Sequence, residues 1–349
     1  MSDEVVELVF QRINEYLELN PEKKVLFTWH GGEVGLLGAD YFRKAFEFQE
    51  KHCATTKSRI EHLVQSNLTL MTQELLDIFR LFEIRQIGSS YDPIPSIRGP
   101  GRNRDSDFYN RKFFEGVNLL NENGFTWGVI YVVHRKSLQM PLDIFHFLTN
   151  LNIRTCPNFN RVNVYGEDKN NISITSEEFA DFLGAIFPVW WKHRERYPNV
   201  RPFAGFTENV RDKNLSLVCE TSGACSHEWL YIGPEGETSQ CGRGGDYGLT
   251  SYGNIRKFSL QELLRNEQRD RLAMRQQVLP QTECKDCRFW GMCHGGCPLD
   301  ACLISGGFLR RAESCDALKI FMEKYFEPVT GLRADFPPPP STGYNAYAH

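Results

Sequence analysis

Eight cysteines constrain this chain more than any other feature of its 349 residues. They fall as Cys219-x5-Cys225, then Cys225-x10-Gly236-x4-Cys241, then Cys284-x2-Cys287-x5-Cys293-x3-Cys297, with Cys315 seventeen residues further on. Of the eleven cysteines, only Cys53 and Cys156 precede position 219, and Cys302 stands outside the spacing pattern. Buried structural thiols have no reason to recur at such intervals. Disulfides need an oxidising compartment, which nothing in the sequence suggests. A zinc ribbon would suit the Cys284/Cys287 pair, although the x5 and x3 spacings that follow suit it less well. Cubane iron–sulfur clusters take four thiolates each, often with one remote ligand, and eight cysteines make two such sets.

Charge and hydropathy exclude other classes. A formal net charge of -4 gives no electrostatic case for nucleic acid or an anionic membrane. No apolar run approaches the roughly 20 residues of a membrane span. The start, "MSDEVVELVF", lacks the basic and apolar regions of a signal peptide. The chain reads as cytoplasmic.

Before the cysteines, helix and strand signals alternate. "SDEVVELVFQRINEYLELNP" is a helix with Ser2 as N-cap, Val5, Leu8, Val9 and Ile13 apolar, and Pro21 as the stop. "KKVLFTW" is a strand running into His30-Gly31-Gly32-Glu33. A helix over about 39–51 and the strand "EHLVQSNLTL" follow, then helix "TQELLDIFRLF" and strand "RQIGSSYD". Next come helix "FYNRKFFEGVNLLNENG", strand "WGVIYVVH" and helix "PLDIFHFLTNL", with Pro141 in its first turn. "IRTCPNFNRVNVYG" and "TSEEFADFLGAIFPVWWKHRERY" read as the last strand and helix. Strands separated by helices at this spacing pair in parallel, so the expected class is α/β, most simply part of a barrel. A parallel sheet entered through a helix leaves "KKVLFTW" without a preceding strand beside it, so one apolar edge stands open. The expected division is an incomplete barrel over 1–205, a cysteine-rich domain over 206–330 and a disordered proline-rich tail over 331–349.

The run from Cys219 to Cys315 resembles the SPASM domain, the auxiliary-cluster module of many radical S-adenosylmethionine enzymes that modify peptides and proteins. All eight cysteines fall on its ligand pattern, together with "GPEGE", Gly253-Asn254-Ile255 and "CHGGCP". The resemblance implies two auxiliary [4Fe-4S] clusters. Cys219, Cys225, Cys241 and Cys297 would hold the first; Cys284, Cys287, Cys293 and Cys315 would hold the second. Cys302 reads as a buried small residue. "WHGGEV" resembles the family's Gly-Gly-Glu segment, so Gly31, Gly32 and Glu33 would receive the amino group of S-adenosylmethionine, with Val34 where proline is usual. "GSSYDP" resembles the family's Ser-x-Asp segment and gives Ser90 as a cofactor contact, although such residues also cap helices. Arg98, Arg102, Arg104 and Arg111 are candidates for the cofactor carboxylate. The resemblance implies a partial (β/α)6 TIM-like radical S-adenosylmethionine barrel lacking its first strand. It also implies a peptide or protein substrate and a reducing partner such as flavodoxin or ferredoxin.

The family's chemistry starts at a Cys-x3-Cys-x2-Cys triplet, whose third [4Fe-4S] cluster binds S-adenosylmethionine. These residues contain no such triplet. With the absent first strand, this suggests a chain that begins downstream of that region and is inactive as written. A non-catalytic electron-transfer or peptide-binding short form is the alternative. A second departure concerns substrate. Relatives that oxidise a cysteine or serine of sulfatases to formylglycine carry a catalytic aspartate after the third ligand of the first auxiliary cluster. Here Gly242 follows Cys241, and Asp246 is displaced. Maturation of other ribosomally made peptides is therefore expected ahead of sulfatase maturation. Trp190 and Trp191 are expected to pack against the barrel rather than bind peptide, and His30 to be a satisfied strand-end histidine.

Overall fold

Helix formation at the start follows the residues closely. Ser2 accepts the Val5 N–H through its hydroxyl at 3.3 Å and caps α1 (Asp3–Leu19). Asp3 and Glu4 lie in the first turn, where the helix dipole favours them. Val5, Val6, Val9, Phe10, Ile13 and Leu17 form the buried stripe. The computed structural model describes residues 1–151, 157–213, 217, 219 and 221–339.

Strands and helices then alternate: β1 (Val25–Trp29), α2 (Gly38–His52), β2 (Ile60–Gln65), α3 (Gln73–Leu81), β3 (Gln86–Ser90), α4 (Ser106–Glu122), β4 (Thr126–Val133), α5 (Pro141–Asn150), β5 (Pro157–Arg161), α6 (Ser176–Lys192) and α7 (Phe203–Asp212). The sheet runs β1-β2-β3-β4-β5 with every pair parallel, so the α/β class holds. Among the described residues β1 pairs on one side only. β4 shows how register is fixed. Trp127, Val129, Tyr131 and Val133 are buried while the residues between them are half-buried, and a slip of one position would reverse both sets. The other face of the sheet is open at its β1 side, where Leu26 is 52% and Leu63 39% exposed.

Two elements end earlier than their sequences suggest. β2 stops at Gln65 because Ser66 and Asn67 turn to Glu33. α6 stops at Lys192, short of the expected Tyr197. It runs through Pro188, which donates no hydrogen bond to Gly184. A Cβ on Gly184 would stand 2.5 Å from the Tyr325 ring, so glycine there lets the ring lie on the helix.

The cysteine-rich part is built of short pieces: α8 (Cys225–Glu228), the antiparallel β6 (Tyr231–Ile232), β7 (Glu237–Ser239) and β8 (Gly253–Asn254), and α9 (Gly242–Asp246). α10 (Leu260–Leu264), α11 (Glu267–Ala273), α12 (Arg275–Val278), α13 (Trp290–Cys293), α14 (Pro298–Leu303) and α15 (Ser314–Phe321) complete it. One apolar core runs through both parts, with Phe321 of α15 packed 5.3 Å from Phe187 of α6. The expected division at 205/206 falls inside α7. The start of the expected tail is held rather than loose. Ala334 is fully buried, Arg288 donates to its carbonyl at 2.7 Å, and the Phe336 N–H reaches the Arg288 carbonyl at 2.6 Å. Backbone pairing there outweighs the proline-rich composition that follows. Residues 340–349 lie outside the described residues.

Candidate metal and cofactor site

Cysteines far apart in sequence lie near one another. Cys225 feels Cys219 through direct contact and Cys297 through charge, while Cys241 also feels Cys219. Cys284 feels Cys293 and Cys287, and the Cys293 and Cys315 sulfurs lie 3.8 Å apart. Short elements present them. Cys225 opens α8, Cys241 caps α9 and accepts the Gly244 N–H at 3.2 Å, Cys297 precedes α14, and Cys315 sits on α15. His294, Gly295 and Gly296 all have positive φ, which turns the chain tightly between Cys293 and Cys297 and lets that loop carry one cysteine of each implied set. Cys302 is half-buried on α14 rather than buried. Cys53 is a core thiol donating to the Phe10 carbonyl at 3.3 Å, and Cys156 lies outside the described residues.

Burial pushes the Cys284 thiol up to about 11 and Cys297 up to about 12. Contact with Cys219, and then burial, pushes Cys225 up as well. Unligated, these groups stay protonated, and bound iron would replace the protons. The surroundings suit negative sulfur. The Gln240 amide donates to Cys225, and Arg243 reaches Cys297 at 3.9 Å. Two arginines are nearly wholly buried, Arg269 at 2% and Arg275 at 3% exposed, and neither forms a salt bridge among the described residues. Arg275 donates to the carbonyls of Gly295, Gly296, Phe308 and Arg310, and its charge is felt by cysteines of both implied sets. A buried cation without a carboxylate is costly unless something anionic faces it. Thiolate-ligated cubanes are anionic, so the donor set fits them. Among the described residues no three His, Cys, Asp or Glu side chains could hold a single metal ion. A cubane asks for something else, one thiolate on each iron.

The carboxyl ends of the strands form a second polar region, where α/β folds put their sites. Gly31 and Gly32 are exposed, and added Cβ atoms would meet open space. Gly31 has φ +145°, which favours glycine. Glu33 is pinned by its own chain: one oxygen accepts Gly35 N–H at 2.9 Å and the Ser66 hydroxyl at 2.6 Å, the other Asn67 N–H at 2.7 Å. Ser90 ends β3, and its carbonyl accepts the Tyr109 hydroxyl at 3.1 Å. Tyr109 also feels Arg98, Asp92 and Glu33, which makes Arg98 the arginine nearest this group. Arg104 is turned to the Ile97 carbonyl, Arg111 pairs with Glu115, and Arg102 is exposed. His30 accepts the Gly31 N–H at 2.7 Å. Trp190 is core, donating to the Tyr197 carbonyl at 2.9 Å, and Trp191 packs partly buried beside it.

Sequence reasoning missed one carboxylate, Asp300, and gave no partner to another, Asp92 of the Ser-x-Asp segment. Asp92 and His134 are both buried and meet at 2.8 Å. Asp300 is 2% exposed beside Cys297 and accepts Tyr165 O–H and Asn163 N–H, so it fastens the loop after β5 to α14. Asp246, the displaced candidate, is exposed. The "CPLD" spacing was the only signal of Asp300, and it says nothing of Tyr165, 135 positions earlier in the chain.

No protein-family model matches the chain. The serine-type anaerobic sulfatase-maturating enzyme of Bacteroides thetaiotaomicron is 27% identical, over 94% of this chain and 80% of that protein. The cysteine-type enzyme of Clostridium novyi is 23% identical over 88% and 82%. Among solved structures, native anSMEcpe with bound AdoMet and Kp18Cys peptide superposes with a TM-score of 0.78, covering 95% of this chain and 90% of that one at 21% identity. SuiB of Streptococcus suis reaches a TM-score of 0.53 over 89% and 70% at 12% identity. These likenesses carry the fold. These two sequence relatives are named for sulfatase maturation, the activity that Gly242 had put last.

Proposed function

We propose that this chain is a peptide maturase of the radical S-adenosylmethionine kind, closest in activity to anaerobic sulfatase maturation. Its relatives act on a serine or cysteine of a sulfatase. The observation that carries the reading is the coincidence of two independent things. A sulfatase-maturating enzyme is 27% identical over 94% of the chain, and cysteines from each proposed group lie near one another and near the buried Arg275.

In this reading Cys219, Cys225, Cys241 and Cys297 hold one auxiliary cluster, and Cys284, Cys287, Cys293 and Cys315 the other. The clusters supply one-electron chemistry when bound. Gly31, Gly32 and Glu33 bind the cofactor's amino group, Glu33 being oriented by Ser66 and Asn67. Ser90, at the end of β3, and Arg98 complete the contact, both being linked to Tyr109. Asp300, Tyr165 and Asn163 join the last strand's loop to the cluster part and fix the wall between them. The 349 residues hold no Cys-x3-Cys-x2-Cys triplet, so the proposal assigns them cofactor contact, peptide binding and electron transfer. A flavodoxin- or ferredoxin-like reductant would feed the clusters.

Anaerobic reconstitution followed by Mössbauer spectroscopy tests the core of this. About eight cubane irons per chain are expected. Bound zinc, or about four irons, overturns the two-cluster assignment. Incubation of a sulfatase-derived serine peptide with a triplet-bearing form of the enzyme, a reductant and S-adenosylmethionine should remove two hydrogens from serine, with S-adenosylmethionine as the oxidant that leaves as methionine and 5′-deoxyadenosine. A modified residue of another type would shift the reading to a different maturase.

A further inference from the structure

A cavity of about 130 Å³ lies between β5, α6, α7 and the cysteine-rich part. That is room for about four waters at ~30 Å³ each, enough for one acidic side chain. Its wall includes Asn158, Asn160 and Arg201, together with Cys293 and Cys315. Arg201 is placed firmly: its N–H donates to the Pro157 carbonyl and its carbonyl accepts the Phe159 N–H, both at 3.0 Å, which stitches it to the edge of β5. Its guanidinium has no hydrogen-bond or carboxylate partner among the described residues, whereas the neighbouring Arg161 is taken by Glu313 at 3.1 Å. Among the same residues the side-chain amides of Asn158 and Asn160 are likewise without partners. A Cβ on Gly205 would stand 3.0 Å from the Arg201 Nη1, so the glycine makes room for the guanidinium.

Unpaired polar groups converging on a cavity are the mark of a ligand site. A guanidinium fork without an anion is best answered by a carboxylate, which it can grip through two parallel hydrogen bonds. Asn158 and Asn160 are two positions apart on one strand and so share one side of it. Their separation along β5, about 7 Å, is the repeat of an extended peptide, and each amide can both donate to and accept from a backbone unit. We propose that this cavity binds an extended peptide segment through a carboxylate side chain: Arg201 takes the carboxylate, and Asn158 and Asn160 take the flanking backbone. The proposal rests on the peptide-maturase reading and deepens it by naming the substrate class, a peptide with an acidic residue near the one modified.

The test is peptide selection by the iron-loaded full chain, kept free of oxygen, from a random octapeptide library. The best binder is then remade with asparagine for aspartate or glutamine for glutamate. Acidic residues should be enriched, and the neutral partner should bind about tenfold more weakly. Arg201→Gln should abolish that preference, and Arg201→Lys should keep part of it. Iron content and visible absorption report whether each variant has folded. If Arg201→Gln fails that check, the Asn158→Ala/Asn160→Ala double variant should weaken acidic and neutral peptides alike. Equal affinity for the acidic and neutral peptides, or a preference that survives in Arg201→Gln, overturns the proposal and leaves the cavity as space beside the cysteines. Displacement of the acidic peptide by submillimolar inorganic phosphate would make it a free-anion site and also overturns it. Binding is read without turnover, so a chain that modifies no peptide still distinguishes these outcomes.

Discussion

Replacing Arg275 with methionine should loosen the loop that serves both groups of cysteines, and more so when iron is bound. Methionine keeps most of the stem's bulk and removes the charge and donors. The guanidinium donates to Gly295 at 2.9 Å, Gly296 at 3.0 Å and Arg310 at 2.7 Å, and also to Phe308. Gly295 keeps the Ala312 N–H at 2.8 Å, so three carbonyls are left without a partner. At about 1 kcal/mol for each, the lower end of the usual range, the loss is about 3 kcal/mol. Relief from holding a buried charge offsets part of this, which leaves a net loss of about 2 kcal/mol in the iron-free chain. Iron binding makes the surrounding sulfurs anionic, so the wild-type arginine gains a counter-charge there that methionine forgoes. The loss should therefore be at least about 1 kcal/mol larger with iron than without, since hydrogen bonds and contacts to charged groups are the stronger class. Anaerobic urea unfolding, followed by tryptophan fluorescence at constant m, measures both forms. Arg275→Lys should lie between, because one ammonium cannot span carbonyls on two sides as the fork does. Equal losses with and without iron, or full recovery by lysine, would refute the idea that this arginine both braces the loop and answers the sulfur charge.

Three further outcomes follow from single sites. His62, buried against Gln49 at 2.6 Å, is pushed down to about 4 by burial, below its ordinary value near 6.5. The unfolded chain then binds the proton first as pH falls, so the stability present above pH 6.5 should drain away between about 6.5 and 4, by about 3 kcal/mol. In His62→Gln, urea midpoints across that range should lose this part of the slope. Gly116→Ala in α4 would put a Cβ 2.2 Å from the Leu68 carbonyl oxygen, which is backbone and cannot swing aside. A loss of about 1–3 kcal/mol in the same unfolding assay is expected, and an unchanged midpoint would mean that α4 can shift freely. Glu33→Gln turns one of two acceptor oxygens into a donor facing the N–H and O–H groups of Gly35, Ser66 and Asn67. A loss of about 1.5–3 kcal/mol should appear on unfolding, as for hydrogen bonds to a charged group, and hydrogen exchange at Asn67 should accelerate.

Much of the fold was legible because it depends on neighbours in sequence. Ser2, Thr72 and Thr175 each accept an N–H three residues on and begin helices where the apolar period starts. The parallel sheet follows from helices interposed between apolar strands, and cysteine spacing carried the family resemblance that implied two prospective groups of four sulfurs. Gly242 and the relatives point different ways: the residue argues against sulfatase maturation, while a sulfatase-maturating enzyme is 27% identical over 94% of the chain. The half-buried Cys302 and the docked stretch up to Phe336 depart from composition, since exposure depends on what lies opposite.

Tertiary structure alone decided which charges lack partners. Nothing near Arg275 or Arg201 in sequence distinguishes them from the other arginines of the chain. One is braced by four carbonyls drawn from two loops, and the other faces a cavity with its guanidinium unclaimed among the described residues. The same holds for Asp300, whose partners Tyr165 and Asn163 arrive from the far end of the sheet. Local patterns specify elements because hydrogen bonding and helix or strand period act over a few residues. A site's electrostatics is a sum over whatever the fold brings within several ångströms, and sequence order does not record that sum.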